Sequence, residues 1–293
     1  MRFFQTFGYQ LYKLFVCLPQ TSKDQNMLAF ANAKINIGLN ITAKRPDGYH
    51  EIETVFYPIK IYDVLELSNS TTTSCVVRGN SFPGEMVDNL CYKAFKLLQQ
   101  EYHFPDQQIT LLKNIPVGAG LGGGSSDAAQ VIKLLNDKFK LQLTNQKMEG
   151  YAALLGADCA FFIQNKPVYA TGIGEKLESI ELDLGAYQLV LVNPEIHVST
   201  AEAYAGIKPK ANSGYLPELM KLPLNKWKDQ VRNDFEDSVF SKYPKIKEVK
   251  DALYQAGAVY AAMTGSGSSV YGFFEKDTRL PELEAQHSVY YNL

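Results

Sequence analysis

"PVGAGLGGGSSDAAQ", Pro116–Gln130, sets five glycines into the seven positions from Gly118 to Gly124 and then runs through Ser125, Ser126 and Asp127 into an apolar-periodic segment. Glycine lets backbone N–H groups converge on a ligand with no Cβ in the way, and a helix start adds unpaired N–H groups and the positive end of its dipole. The combination suits phosphate. The hydroxyls of Ser125 and Ser126 suit phosphate oxygens or a metal, and Asp127 suits a helix cap or an indirect Mg²⁺ contact. As a ligand-free turn, so many glycines would carry a large unfolded-state entropy cost for no return. A Walker A loop is disfavoured because GxxxxGK[ST] needs a lysine that does not follow these glycines. Gly118, Gly120 and Gly123 satisfy GxGxxG, but a long strand-rich segment precedes them, unlike a dinucleotide-binding βαβ unit. The chain also has no HRDxxxxN or DFG string, which argues against a protein-kinase loop.

Outward from the loop, "QQITLLKNIP" (107–116) is a short apolar strand and "DNLCYKAFKLLQQEY" (88–102) places Leu90, Ala94 and Leu97/Leu98 at helical spacing. Further upstream, "FANAKINIGLNIT" (30–42) alternates apolar Ala33, Ile35, Ile37, Leu39 and Ile41 with polar Asn32, Lys34, Asn36 and Asn40. That period of two predicts a strand with Lys34 and Asn36 on one face. Arg45-Pro46-Asp47-Gly48 suits a type I turn before β-branched and aromatic runs. Downstream, Ala128, Val131, Ile132 and Leu135 make the apolar face of a helix, and "NQKMEGYAALLG" (145–156) reads as another with Gly156 at its C′ position. The order of strands, helix, strand, glycine loop and helix is an α+β arrangement.

A chain of 293 residues that is 46% hydrophobic and 20% charged can bury a substantial core. Its net charge of −2 provides no field for nucleic acid or an acidic membrane, and no stretch approaches the length of a membrane span. The four cysteines, Cys17, Cys75, Cys91 and Cys159, contain no CxxC pair and suit reduced thiols in a cytoplasmic protein. His50, His103, His197 and His287 give no zinc spacing. Residues 1–26 are aromatic-rich without a continuous apolar core or cleavage site, and are expected to be a disordered or non-native extension ahead of Met27.

The glycine loop resembles the phosphate-binding motif of the GHMP kinases. "AKINIGLNITAKRPDGYHEIET" (33–54), "LLGADCAFF" (154–162) and "MTGSGSSVYGFF" (263–274) add blocks in that family's order, and "RPDGYHEIET" is similar to the branch acting on a cytidine-diphosphate-linked methylerythritol. The resemblance implies a two-lobed fold with the site in the interdomain cleft, an N-terminal domain over 27–168 and a C-terminal domain over 169–293. It implies transfer of the γ-phosphoryl group of ATP, with Mg²⁺, to a hydroxyl of that small-molecule substrate in non-mevalonate isoprenoid biosynthesis.

On this resemblance Asp158 is the group that accepts the hydroxyl proton, and Lys34 lies beside it. Pro116, Val117, Gly118, Ala119, Gly120, Leu121, Gly122, Gly123, Gly124, Ser125 and Ser126 hold ATP, with Asn89 and Lys113 near the adenine. Asn36, Tyr49, His50, Tyr204, Gly265, Ser266 and Gly267 are expected at the substrate, the aromatic groups around cytosine. By residue type alone, Lys34 would be a solvent-face lysine, Asp158 a loop acid, Tyr49 strand packing, His50 a surface histidine and "TGSGSS" (264–269) a β-turn. The segment "NPEIHVSTAEAY" (193–204) has Ser199 and Ala201 where the family segment carries prolines, and His197 is read as incidental. Two other readings stay open: a GHMP kinase with a different hydroxyl acceptor, and a non-enzymatic nucleotide-binding regulator on the same scaffold. A monomer or a homodimer is expected.

Overall fold

The structure, a computed structural model, describes residues 26–80, 84–209 and 214–293. The expected N-terminal extension lies outside the described residues apart from Asn26. Two long strands build the first lobe: β1 (Met27–Lys44) and β2 (His50–Asn69) pair antiparallel along nearly their whole length. The free edge of β2 takes β4 (Gln107–Lys113) at Val64–Asn69 and β5 (Val168–Thr171) at Thr54–Phe56. β3 (Ser74–Gly79) extends the sheet beyond β4, and β6 (Lys176–Ser179) extends it beyond β5. Val168, expected to end the first domain, therefore opens a strand of the first sheet, which continues through Ser179.

Helices α1 (Leu90–Tyr102), α2 (Gly123–Phe139), α3 (Asn145–Ala153) and α4 (Phe161–Gln164) cover one face of this sheet. The second sheet has the order β10 (Ser288–Tyr291), β7 (Gln188–Asn193), β9 (Val270–Phe274), β8 (Tyr260–Met263), all antiparallel. Its outer face carries α5 (Thr200–Ala205), α7 (Phe235–Lys242), α8 (Pro244–Gln255) and α9 (Pro281–Glu284), whereas the short α6 (Leu216–Leu219) packs between the sheets.

Three apolar cores follow from this layering. One lies under α1–α4, one between the two sheets and one under the outer helices of the second lobe, and β1 contributes to all three. Ala29 and Ala31 pack in the first, Ala33, Ile35 and Ile37 in the second, Leu39 and Ile41 in the third. The side-chain period of a strand is two, so odd residues can change sides only where pairing is irregular. Register shifts fall at Asn32/Ala33 and Ile37/Leu39, and Gly38 supplies the left-handed φ of 65° at the second. The first shift swings Lys34 and Asn36 toward the helix layer and the glycine loop. Both are buried, which corrects the solvent-face reading that alternation alone gives Lys34.

One further expectation changes. α3 ends at Ala153, the N–H groups of Leu155 and Gly156 both bond Ala152 O, and Gly156 keeps a φ outside the left-handed region. The chain leaves α3 through right-handed turns, so Gly156 is no C′ residue and Asp158 sits on the turn entering α4.

Candidate active site

β4 delivers the chain into the loop, and α2 receives it. Gly118, Gly120 and Gly122 take φ of 68°, 79° and 68°, which side chains resist. Gly122 is the N-cap of α2 and no side chain caps the first turn, so its N–H groups are left for a ligand. The glycines do different work. A Cβ at Gly120 would run into Thr264 O of the second lobe, and one at Gly122 would meet the Phe162 ring at 3.0 Å and Lys34 Cε at 3.1 Å. At Gly124 a Cβ would meet nothing nearer than 3.9 Å, a space left open on the exposed side of the helix start.

Lys34 Nζ is fixed from several sides. It donates to Asn36 Oδ1 (2.5 Å) and Gly120 O (3.4 Å), stands 3.3 Å from Asp158 Oδ2 and lies 4.8 Å from the Phe56 ring centroid. Its backbone N–H donates to Leu121 O at 3.0 Å, tying β1 to the loop. The Lys34 side chain is 4% exposed and that of Asp158 31%, so the carboxylate fronts the cleft and the ammonium stands behind it. Asn36 Nδ2 donates to Thr54 Oγ1 at 3.0 Å, and Asn36 N–H donates to Thr264 Oγ1 at 2.9 Å. Asn36 is therefore a scaffold for Lys34 as well as a wall of the cleft.

A cavity of about 630 Å³ joins these groups. Lys34, Asn36, Asn89, Lys113, Pro116 to Ser125, Asp158, Tyr204, Gly265 and Ser266 line it. Ser126 is buried away from it, and Gly267 faces Met263 Sδ, at 2.9 Å from a Cβ placed there, so neither expected contact opens on the cleft. A separate hollow of about 410 Å³, bordered by Tyr57, Lys60, Tyr187 and Leu293, holds none of the expected residues.

The adenine-side expectations are altered by what those residues already do. Asn89 Oδ1 accepts the Cys91 N–H at 2.8 Å and caps α1. Lys113 is buried between Asp63 and Asp127, with Asp127 Oδ2 at 2.8 Å, and Asp63 Oδ1 also accepts the N–H groups of Asn114 (2.6 Å) and Ile115 (2.8 Å). Asp127 thus does not cap α2: through Lys113 its Oδ2 pins the helix to β4. Burial outweighs the attraction of Lys113 and pushes the Asp127 carboxyl up to about 8. Sequence reading missed this cluster because Asp63, Lys113 and Asp127 sit on three separate elements.

His50 and Tyr204 meet, but as a closed pair. Their rings stack at 4.7 Å and 21°, and Phe235 packs edge-on against Tyr204 at 4.8 Å. Burial first, then the charge of Asp158, raises the Tyr204 phenol. Tyr204 rides on α5, whose N-cap is Ser199: its side chain accepts the Glu202 N–H at 3.2 Å while Glu202 returns a bond to Ser199 N–H at 3.1 Å. Ser199-x-x-Glu202 is a capping box, a signal present in the sequence and unused there. Tyr49 is largely exposed and stands outside the cavity. His197, expected to be incidental, lines it beside Gly118.

Residues 89–166 match the GHMP kinases N terminal domain and residues 215–292 the GHMP kinases C terminal domain. A 4-diphosphocytidyl-2-C-methyl-D-erythritol kinase of Bacteroides fragilis is 52% identical over 262 residues, spanning 88% of this chain and 96% of the relative. The chain belongs to the 4-diphosphocytidyl-2-C-methyl-D-erythritol kinases of the GHMP family. The chain is similarly 48% identical to a 4-diphosphocytidyl-2-C-methyl-D-erythritol kinase of Cytophaga hutchinsonii, over 85% of this chain and 92% of the relative. A crystal structure of a 4-(cytidine 5'-diphospho)-2C-methyl-D-erythritol kinase superposes with a TM-score of 0.75 at 29% identity, covering 90% of this kinase and 98% of that chain. The mevalonate kinase of Methanococcus jannaschii, at 14% identity and a TM-score of 0.67 over 91% of this kinase and 98% of that chain, shares the fold. The expected α+β two-lobed architecture holds, and no helix among the described residues is long and apolar enough to cross a membrane.

Proposed function

We propose that this kinase transfers the γ-phosphoryl group of ATP to a hydroxyl on the methylerythritol moiety of 4-diphosphocytidyl-2-C-methyl-D-erythritol, giving ADP and the phosphorylated alcohol. The observation that carries the reading is the Lys34–Asp158 pair, a buried ammonium 3.3 Å behind a half-open carboxylate on the cleft that the glycine loop borders. Phosphoryl transfer depends chiefly on positioning and charge stabilisation, and this arrangement supplies both.

In this mechanism Asp158 accepts the hydroxyl proton as the substrate oxygen bonds to the γ-phosphorus and the bond to the ADP oxygen breaks, its electron pair leaving on ADP. Lys34 orients Asp158 and stabilises negative charge on the attacking oxygen. The uncapped N–H groups at the start of α2 and the open space at Gly124 receive the phosphates. No group of three or more His, Cys, Asp or Glu among the described residues suits a metal ion, so Mg²⁺ fits as a partner carried on the nucleotide phosphates, with Ser125 at hand on the first turn. Bound there, it would offset phosphate charge.

Cytosine is read by His50 and Tyr204, with Tyr49 and the Gly265–Ser266 turn at the margins. A ring-to-ring distance of 4.7 Å has no room for a base between them. The base therefore takes the place of the imidazole on the Tyr204 face, and His50 moves to the base edge.

The test is purified protein with ATP, Mg²⁺ and 4-diphosphocytidyl-2-C-methyl-D-erythritol, following ADP release, with mevalonate and Asp158→Ala as controls. Turnover that requires the cytidyl substrate and collapses in the variant supports the reading. Folded, ATP-binding protein that turns over another alcohol instead overturns the acceptor assignment.

A further inference from the structure

Between α6 and α7 the chain passes along β1 as a short strap. Leu39 N–H donates to Arg232 O at 2.8 Å, Asp234 N–H donates to Leu39 O at 2.8 Å, and Asp234 Oδ2 accepts the Ile41 N–H at 2.7 Å. Residues 232 and 234 thus belong, by bonding, to the edge of the first lobe. Asn233, between them, points the other way. Its Nδ2 donates to Met263 O and Gly265 O, both at 2.8 Å, and its Oδ1 accepts the Phe235 N–H at 3.0 Å. The side chain is buried, and both amide hydrogens go to the carbonyls on either side of Thr264.

Thr264 is one of the residues through which the second lobe touches the nucleotide loop; the Ser269 N–H, donating to Ala119 O at 3.3 Å, is another. The Thr264 hydroxyl accepts the Asn36 N–H at 2.9 Å and donates to Gly120 O at 3.2 Å, and the Thr264 carbonyl fills the space beside Gly120. Asn36 and Gly120 are two of the acceptors that fix Lys34 Nζ. An unbroken series of direct contacts therefore runs from Asn233 through the Met263–Gly265 carbonyls to Thr264, then to Asn36 and Gly120, and finally to Lys34 and Asp158. Asn233 touches none of the reacting groups itself.

We propose that Asn233 is a positioning residue for phosphoryl transfer, holding Thr264 at the height that sets Asn36, Gly120 and hence Lys34 against Asp158. The proposal rests on the reading of Lys34 and Asp158 given above. A planar amide is the fitting side chain: two hydrogens diverge toward the two carbonyls that flank Thr264, while the same group's oxygen terminates on the strap. Displacing a reacting group by about 1 Å can cost on the order of 100-fold in rate. A loss of that kind falls on kcat, whereas the nucleotide is held mainly by loop and helix N–H groups that Asn233 does not contact.

The experiment is a double-mutant cycle on the full-length kinase with Asn233→Ala and Thr264→Val, measuring kcat, KM for ATP and the thermal midpoint, with Asp158→Asn in parallel. The expected result is a fall in kcat on the order of 10- to 100-fold for each single variant. KM for ATP stays within about twofold, and the double variant falls no lower than the worse single variant, because both changes break one series of contacts. A structural role alone would lower the midpoint, and the two rate effects would multiply; wild-type kcat in Asn233→Ala, or multiplied effects, overturns the proposal. Should Asn233→Ala fail to fold, Thr264→Val set against Thr264→Ser carries the test. Loss with valine and retention with serine supports the series, and wild-type kcat with valine overturns it. Full activity in Asp158→Asn, by contrast, overturns the reading of the Lys34–Asp158 pair and is recognised separately from the cycle.

Discussion

The carbonyl oxygen of Thr264 occupies the space that a Cβ on Gly120 would need, so the two lobes meet at backbone distance beside the Lys34 ammonium. Gly120→Ala should force the lobes apart and place alanine at a φ of 79°. The left-handed backbone alone costs about 1–2 kcal/mol, and kcat should fall with it. Gly124→Ala makes the contrast, since nothing lies nearer than 3.9 Å and the residue is helical. There the thermal midpoint should hold or rise, by up to about 1 kcal/mol in stability, while KM for ATP increases because the methyl enters the ligand's space. A fall in stability at Gly124, or unchanged KM, would contradict this.

Asp158→Asn and Lys34→Met should each reduce kcat by about 10²- to 10⁴-fold. Nucleotide binding should survive, because the loop and the start of α2 are built from backbone. Isothermal titration with a non-hydrolysable ATP analogue checks the second half of that expectation. Loss of binding with loss of turnover would mean the pair organises the loop and does not act on the acceptor.

Lys113→Met would leave Asp63 buried without its cation, at a cost of about 3–5 kcal/mol. The pH dependence of stability carries a second signature. The Asp127 carboxyl is raised from 3.8 to about 8 by burial, so between those values the folded state keeps a proton that the unfolded chain has released. Its contribution to the unfolding free energy therefore declines as pH rises from about 4 to about 8 and levels off above. Asp127→Asn should flatten that decline in thermal melts taken across the range.

Tyr204→Ala should raise KM for the cytidyl substrate by about 5- to 150-fold, the range of one base–aromatic stack of about 1–3 kcal/mol. KM for ATP should stay unchanged. A free-enzyme signal for the closed pair is also available, since the His50 ring resonances should shift when a cytidine nucleotide displaces the imidazole. Unshifted resonances at saturating nucleotide would place the base elsewhere.

Much of the first lobe was legible because its signals are local. The alternation at Ala33–Ile41 gives β1, the apolar face of Ala128–Leu135 gives α2, and the glycines before Ser125 give the loop between them. The positions of Lys34 and Asp158 could be marked from the resemblance, yet the burial of Lys34 could not, because it depends on a register shift at Asn32/Ala33 and on a second lobe far along the chain. Ser126 and Gly267 sit within recognisable motifs, but a motif does not say which of its members turns inward. Lys113 and Thr264 were obscured because each is defined by partners from distant elements. The path of 154–160 defeated a cap argument because successive right-handed turns need no left-handed glycine at Gly156.

β1 is packed into all three cores of the described residues and carries Lys34 between two of them. Neither half of the chain can therefore hold a working site by itself, and loosening any one core withdraws support from the strand that bears the lysine. Turnover becomes a gauge of global integrity. Trp227, the sole tryptophan, is buried in the core between the sheets and supplies an independent optical gauge. In a denaturant titration the loss of activity and the change in tryptophan fluorescence should fall on one curve, the behaviour of a single cooperative unit assembled from two lobes.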